Sequence, residues 1–139
     1  MQCRYGFIFN FNNMENKIIG ALHGTIKISD SFTISRDTTI QNLTDYFGTN
    51  QIDTRNMNTG YVHYSVKHVL INDTVFAFCF IFHATQLDSV SFDYDFNGDS
   101  WGNWSEEKEF KRVEKYNMWL TEQVGIRRQF QWGTAWALY

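Results

Sequence analysis

Residues 75–82, Val-Phe-Ala-Phe-Cys-Phe-Ile-Phe, form the longest apolar run of the sequence and decide the predicted fold. Apolar side chains on both faces are typical of a central strand that is covered on both sides. Asn72-Asp73 precedes the run, and both residue types tolerate the positive φ angles of a two-residue hairpin turn. We therefore expect residues 62–68, which alternate apolar and polar side chains, to pair with this strand, and residues 87–94 to add another strand.

Other segments carry weaker patterns. Alternating side chains predict a strand over residues 5–11, a hairpin over residues 26–34 and a closing strand over residues 130–138. In the closing strand we expect Trp132 and Trp136 to belong to the core.

Two segments have helical periodicity. Residues 37–48 predict a short helix, which Gly48 would end. Ser105–Val124 predicts a long helix, because three Glu residues favour its first turn and an apolar stripe follows. Phe110 and Leu120 belong to that stripe, and so does Asn117, which should therefore be hydrogen-bonded.

These elements together predict an α+β fold: a single antiparallel sheet with one short helix and one long C-terminal helix packed on it. A length of 139 residues favours a single α+β domain over residues 1–139. The chain is 43% apolar, contains no proline and has a net charge of −3. This composition argues against disorder, and the mild acidity argues against nucleic-acid binding.

The N-terminus does not resemble a signal peptide, and the longest apolar run is far shorter than the roughly 20 residues of a membrane-spanning helix. We therefore expect a cytoplasmic protein without membrane contact. The two cysteines, Cys3 and Cys79, are poor candidates for a disulfide, since one is close to the chain start and the other lies among phenylalanines.

Charge is unevenly distributed along the chain. Between Lys67 and Lys108 there are seven acidic residues and no Lys or Arg. This stretch is either a solvated acidic edge or a docking surface where complementary charge speeds the approach of a basic protein partner. For the second interpretation, the candidate partner-binding residues are three carboxylates and three indoles, since exposed Trp is common at binding hot spots: Asp93, Asp95, Asp99, Trp101, Trp104 and Trp119.

Residues 93–99, Asp-Tyr-Asp-Phe-Asn-Gly-Asp, match the start of a calcium-binding loop. The twelfth position of that loop requires a bidentate Glu, and here it is Trp104. We therefore predict a polar turn and no metal site. A calcium-stabilised domain, with Asp93, Asp95, Asn97 and Asp99 as ligands, stays as an alternative.

No catalytic motif stands out, so no catalytic residue and no cofactor are predicted. The four histidines lack the spacing of a metal motif, and phosphate-binding loops are absent from the sequence. A Cys79–His68 nucleophile pair is conceivable across two strands, but a thiol among phenylalanines would be poorly reactive. A small-ligand binder or enzyme is a second alternative, with an aromatic-lined pocket containing His68 and Asn117.

Residues 103–109, Asn-Trp-Ser-Glu-Glu-Lys-Glu, the later Phe130-Gln131-Trp132-Gly133 and the closing Tyr139 resemble the C-terminal signature of small uncharacterised bacterial α+β proteins. Some of these proteins resemble the immunity partners of secreted toxins. The resemblance covers about the last 50 residues. It implies a cytosolic inhibitor that binds a cognate toxin, and it supplies no catalytic residue. Our leading hypothesis is thus a non-catalytic protein-binding module that occludes a basic partner, with its oligomeric state left open.

Overall fold

The computed structural model describes residues 17–94 and 105–137. Its two α-helices are α1 (Ile40–Phe47) and α2 (Glu106–Val124), and a 3-10 turn covers Thr49–Gln51. Its strands are β1 (Ile19–Gly20), β2 (Thr25–Ser29), β3 (Phe32–Ile34), β4 (Ile52–Asn56), β5 (Tyr61–Ile71), β6 (Thr74–His83), β7 (Gln86–Tyr94), β8 (Gln129–Phe130) and β9 (Gly133–Thr134).

The α+β class is confirmed, but the prediction of a single sheet is wrong. The described residues form three sheets, with strand orders β1-β2-β3, β4-β5-β6-β7 and β8-β9. The chain divides into two compact units, which we call the sheet unit (residues 28–97) and the helix unit (residues 1–27 and 98–139). The single domain over residues 1–139 stays a prediction.

The four-stranded sheet is an antiparallel meander, and the hairpin predicted at its centre is confirmed. β5 and β6 are joined by Asn72 and Asp73, whose φ angles are 49° and 65°. Two consecutive positive φ angles define the turn whose twist matches that of the flanking strands. The register that follows pairs Ile71 with Thr74 and Leu70 with Val75.

One face of β6 forms the core of the sheet unit, and its four phenylalanines are buried: Phe76, Phe78, Phe80 and Phe82. Helix α1 covers this face through Phe47, whose ring centroid lies 6.1 Å from that of Phe80. The opposite face of β6 carries Ala77, Cys79 and Ile81, which are only half-buried. The strand was expected to be covered on both faces, but this face of β6 is only half-buried. Its cross-strand neighbours are small and polar, such as Ser65 and Ser91.

Helix α1 begins and ends close to the predicted positions. Thr39 is the N-cap, because its hydroxyl accepts from the Asn42 backbone N–H while the Asn42 side chain accepts from the Thr39 N–H. Gly48 ends the helix with a φ of 85°. Leu43 is fully buried, so the apolar face of this short helix is what holds it on the sheet.

In the helix unit, α2 has the predicted limits: Ser105 caps it and Gly125 ends it. Its contact with β1 depends on Gln123, a buried polar residue whose side-chain oxygen accepts from the backbone N–H groups of Ile18 and Ile19 at 2.8 and 3.1 Å. The predicted stripe is only partly buried, because Leu120 is buried and Phe110 is half exposed.

The prediction of one closing strand over residues 130–138 is wrong, because two short strands form there instead. The chain reverses between β8 and β9 at Gln131 and Trp132, and Gly133 has a φ of 149°. Trp132 is half-buried, and its indole N–H donates to the carbonyl of Ala21 at 2.7 Å. Trp136 is exposed rather than in the core. The two segments pair with each other because the turn interrupts the alternation that predicted one strand.

No helix within the described residues combines the length and the apolarity that crossing a membrane requires.

Candidate interaction surfaces

Two of the six predicted partner-binding residues lie in the described part of the chain. Asp93 is exposed on β7, in the sheet unit, and Trp119 is half-buried on α2, in the helix unit. The remaining four, Asp95, Asp99, Trp101 and Trp104, lie outside the described residues, as does most of the calcium-like loop. The common acidic and aromatic surface therefore stays a prediction.

Negative charge is concentrated in the sheet unit. This unit contains eight Asp, no Glu and three Lys or Arg, a net charge of −5, whereas the helix unit has a net charge of +2. All seven of its described carboxylates are exposed: Asp30, Asp37, Asp45, Asp53, Asp73, Asp88 and Asp93. A potential of one sign over a whole unit attracts cationic molecules over about a Debye length, roughly 8–10 Å at physiological salt.

One end of the four-stranded sheet combines exposed apolar side chains with two of these carboxylates. Leu70 and Val75 face each other across the β5–β6 hairpin, 66% and 37% exposed. Asp73 is in the turn beside them, and Asp93 pairs with Ala77 in the next row of the same face. We call these residues, Leu70, Asp73, Val75, Ala77 and Asp93, the hairpin-end patch.

Sequence reasoning missed the apolar part of this patch, although the signal was present. A two-residue turn at Asn72-Asp73 fixes Leu70 opposite Val75, and the burial of Val69 and Ile71 leaves Leu70 on the opposite face. A single exposed leucine is ordinary, but here two apolar side chains are exposed opposite each other and next to two carboxylates.

A β-bulge borders the patch. Lys67 and His68 both lie opposite Ala77, because the register shifts between Val66 and Val69. His68 has a φ of 61°, a conformation that costs a residue with a side chain about 1–2 kcal/mol. The bulge turns both side chains outward, and both are exposed.

The other end of the same face carries cationic and aromatic side chains. Arg55 on β4 pairs with His63 on β5, and Tyr61 pairs with His83 on β6. The rings of Tyr61 and His83 have centroids 4.6 Å apart. Sequence reasoning missed this cluster because β4 has one apolar residue in five, too little alternation to predict a strand.

Within the described residues, the side chains considered for an enzyme or a ligand pocket do not come together in one site. Cys79 pairs with Ser65, and His68 lies in the bulge, so the sheet does not pair the two residues. His68 and Asn117, expected in a pocket, both have exposed side chains. Within residues 17–94 and 105–137, no three His, Cys, Asp or Glu side chains lie close enough together to hold a metal ion.

In the helix unit, burial raises the pKa of the Glu122 carboxyl above its ordinary value. Glu122 lies in the last turn of α2, next to the buried Gln123. The shift follows from desolvation, which disfavours the ionised carboxylate. Ionisation of this carboxyl in the folded chain therefore carries a cost in stability.

Comparison of the chain with protein-family models, curated proteins and solved structures found no match. The resemblance to toxin-immunity proteins therefore stays a prediction.

Proposed function

We propose that this protein is a non-catalytic binding module that occludes a basic protein partner, in the manner of an immunity-type inhibitor of a bacterial toxin in the cytoplasm. The observation that carries the proposal is the hairpin-end patch, where the exposed Leu70–Val75 pair adjoins Asp73 and Asp93. An apolar centre with charged neighbours is the arrangement of many protein interfaces.

The two parts of the patch have different roles in the proposed complex. Leu70 and Val75 supply apolar area, which stabilises a complex by about 25 cal/mol for each Å² removed from water. Asp73 and Asp93, with the net charge of −5 of the sheet unit, attract a basic surface and raise its association rate. Asp95, Asp99, Trp101, Trp104 and Trp119 are further candidate partner-binding residues in the proposal.

Affinity capture from a lysate of the source organism tests the apolar role. The immobilised wild-type chain should retain a protein of basic isoelectric point, and Leu70→Ser/Val75→Ser should lose most of it, since hot-spot truncations cost about 2 kcal/mol or more. Leu22→Ser is the matched control, because Leu22 is 82% exposed and lies in the helix unit.

Folding of each variant is checked by circular dichroism, and the exposure of both side chains predicts little change. The proposed surface is contradicted if the double variant retains the same partner at wild-type affinity. It is also contradicted if Leu22→Ser alone loses the partner. A partner of acidic isoelectric point contradicts the electrostatic role.

A further inference from the structure

We propose that the sheet unit has a second, separate site that binds a phosphate group, formed by Arg55 and His63 with His83 beside them. This site lies at the opposite end of the sheet face from the hairpin-end patch. It rests on different residues from the proposed partner surface, so either proposal can fail alone.

Strand register places one guanidinium and two imidazoles at the same end of this sheet face. Arg55 and His63 are direct cross-strand partners, which places their β-carbons about 4.5–5.5 Å apart. His63 pairs with Ile81, so His83, two residues further along β6, is its diagonal neighbour on the same face. Arg55 and His83 are exposed and His63 is half-buried, so an anion from solvent can reach all three.

The pairing of Arg55 with His63 is unusual in a unit with this charge. Among the described residues, neither the Arg55 guanidinium nor the His63 imidazole has a hydrogen bond or an ion pair. The structure describes seven Asp residues of the unit, and none of them forms an ion pair with Arg55 or His63. An anion between the two side chains accepts a charge-assisted hydrogen bond from the guanidinium and a further hydrogen bond from the imidazole N–H.

Phosphate suits this arrangement because the planar guanidinium donates two parallel hydrogen bonds to an oxyanion and a protonated imidazole adds a third donor. The Tyr61 ring contacts the His83 ring, with the two planes tilted by 38°, and so limits the movement of that ring. The other charged or titratable groups of this sheet face, and of the bulges beside it, are Asp53 on β4, Lys67 and His68 on β5, Cys79 on β6, and Asp88 and Asp93 on β7.

Asp53 is the acid closest to the site along the strand, and it supplies an internal test. It lies two residues before Arg55 on the same face and pairs with Ser65, on the side away from His83. Its charge opposes anion binding, so Asp53→Asn should strengthen the affinity for phosphate, whereas Arg55→Gln should weaken it.

Titration of the full chain with inorganic phosphate, followed through histidine ring NMR signals, tests the site. At a fixed pH of about 6, the signals of His63 and His83 should shift and saturate as phosphate is added. The signal of His23, in the helix unit, should not shift, provided that chloride is used to hold the ionic strength constant. Arg55→Gln should weaken binding about tenfold, since a charge-assisted contact is lost.

Arg36→Gln is the matched control, because Arg36 is another exposed arginine of the sheet unit, and it should leave the phosphate affinity unchanged. His63→Gln, followed through His83, gives a second variant that does not depend on Arg55. The proposal would be overturned if the His63 signal shifts without saturating, or if it shifts no more than the His23 signal. It would also be overturned if Arg55→Gln and His63→Gln leave the phosphate affinity unchanged.

Discussion

The side-chain oxygen of Gln123 lies 2.8 Å from the backbone nitrogen of Ile18, a residue 105 positions earlier in the chain. The same oxygen accepts from Ile19, so one buried amide satisfies two backbone donors at the start of β1. A buried N–H without an acceptor costs about 1–3 kcal/mol. This contact therefore fixes where α2 meets the first described strand.

Gln123→Ala should lower the free energy of unfolding by about 2–4 kcal/mol, because it leaves two backbone donors unsatisfied and opens a small cavity. Urea unfolding measures the change. Gln131→Ala, at an exposed glutamine of the β8–β9 turn, should stay within about 0.5 kcal/mol of wild type. Equal stability of the two variants would contradict the assigned role of Gln123.

Phe80 and Leu70 are both apolar strand residues, but they should respond differently to truncation. Phe80 is fully buried against Phe47 of α1, so Phe80→Ala should cost about 3–5 kcal/mol. Leu70 is 66% exposed, and Leu70→Ala should cost less than about 1 kcal/mol. Thermal unfolding of both variants checks the assignment of the two sheet faces, and the reverse order of stability would refute it.

Asp73→Gly should stabilise the chain, since Asp73 has a φ of 65° and Gly is the preferred residue at the second position of this turn. We expect an increase of about 0.5–1 kcal/mol. The same variant removes one carboxylate of the hairpin-end patch, so partner association should slow while the melting temperature rises. A fall in melting temperature would show that the turn conformation is misassigned.

Stability should depend on pH through Glu122. Burial raises the pKa of this carboxyl in the folded state above its ordinary value of 4.5, so the folded chain favours the protonated form. The resulting stabilisation is present below the unfolded-state pKa and is lost as pH rises through the folded-state pKa. Glu122→Gln should therefore unfold at a higher urea concentration than wild type at pH 7.

The higher stability of Glu122→Gln relative to wild type should disappear near pH 3, because the wild-type carboxyl is then protonated and both side chains are neutral. Glu107→Gln is the control, at an exposed glutamate of the first turn that forms an ion pair with Lys111. A constant difference between Glu122→Gln and wild type across this pH range would contradict the desolvation of Glu122.

Sequence patterns predicted the elements that depend on local chemistry. The apolar run around Phe80, the turn at Asn72-Asp73 and the ends of α2 at Ser105 and Gly125 all follow from side-chain type and spacing. The split into three sheets did not follow, because strand pairing is set by contacts between distant residues. The reversal at Gln131 and Trp132 shows the difficulty, since it converts one predicted strand into a hairpin.

The candidate surfaces were predicted less well than the fold. The sequence shows the excess of acidic residues before α2. The exposed pair Leu70 and Val75 could not be predicted from the sequence alone, because their exposure depends on the strand register. The Arg55–His63 pair depends on β4, a strand with too few apolar residues to be predicted. The conceivable Cys79–His68 pair does not form, because Cys79 pairs with Ser65 and His68 lies in the bulge.

The most direct test of the docking account is the association rate of the captured partner with Asp73→Lys/Asp93→Lys. Asp37→Lys/Asp88→Lys is the matched control, because it changes the net charge equally at exposed residues of the same unit outside the patch. We predict that the patch variant associates about tenfold or more slowly than the control at low salt, and that the difference shrinks as salt is added. Equal association rates for the two variants at every salt concentration would contradict docking through the hairpin end.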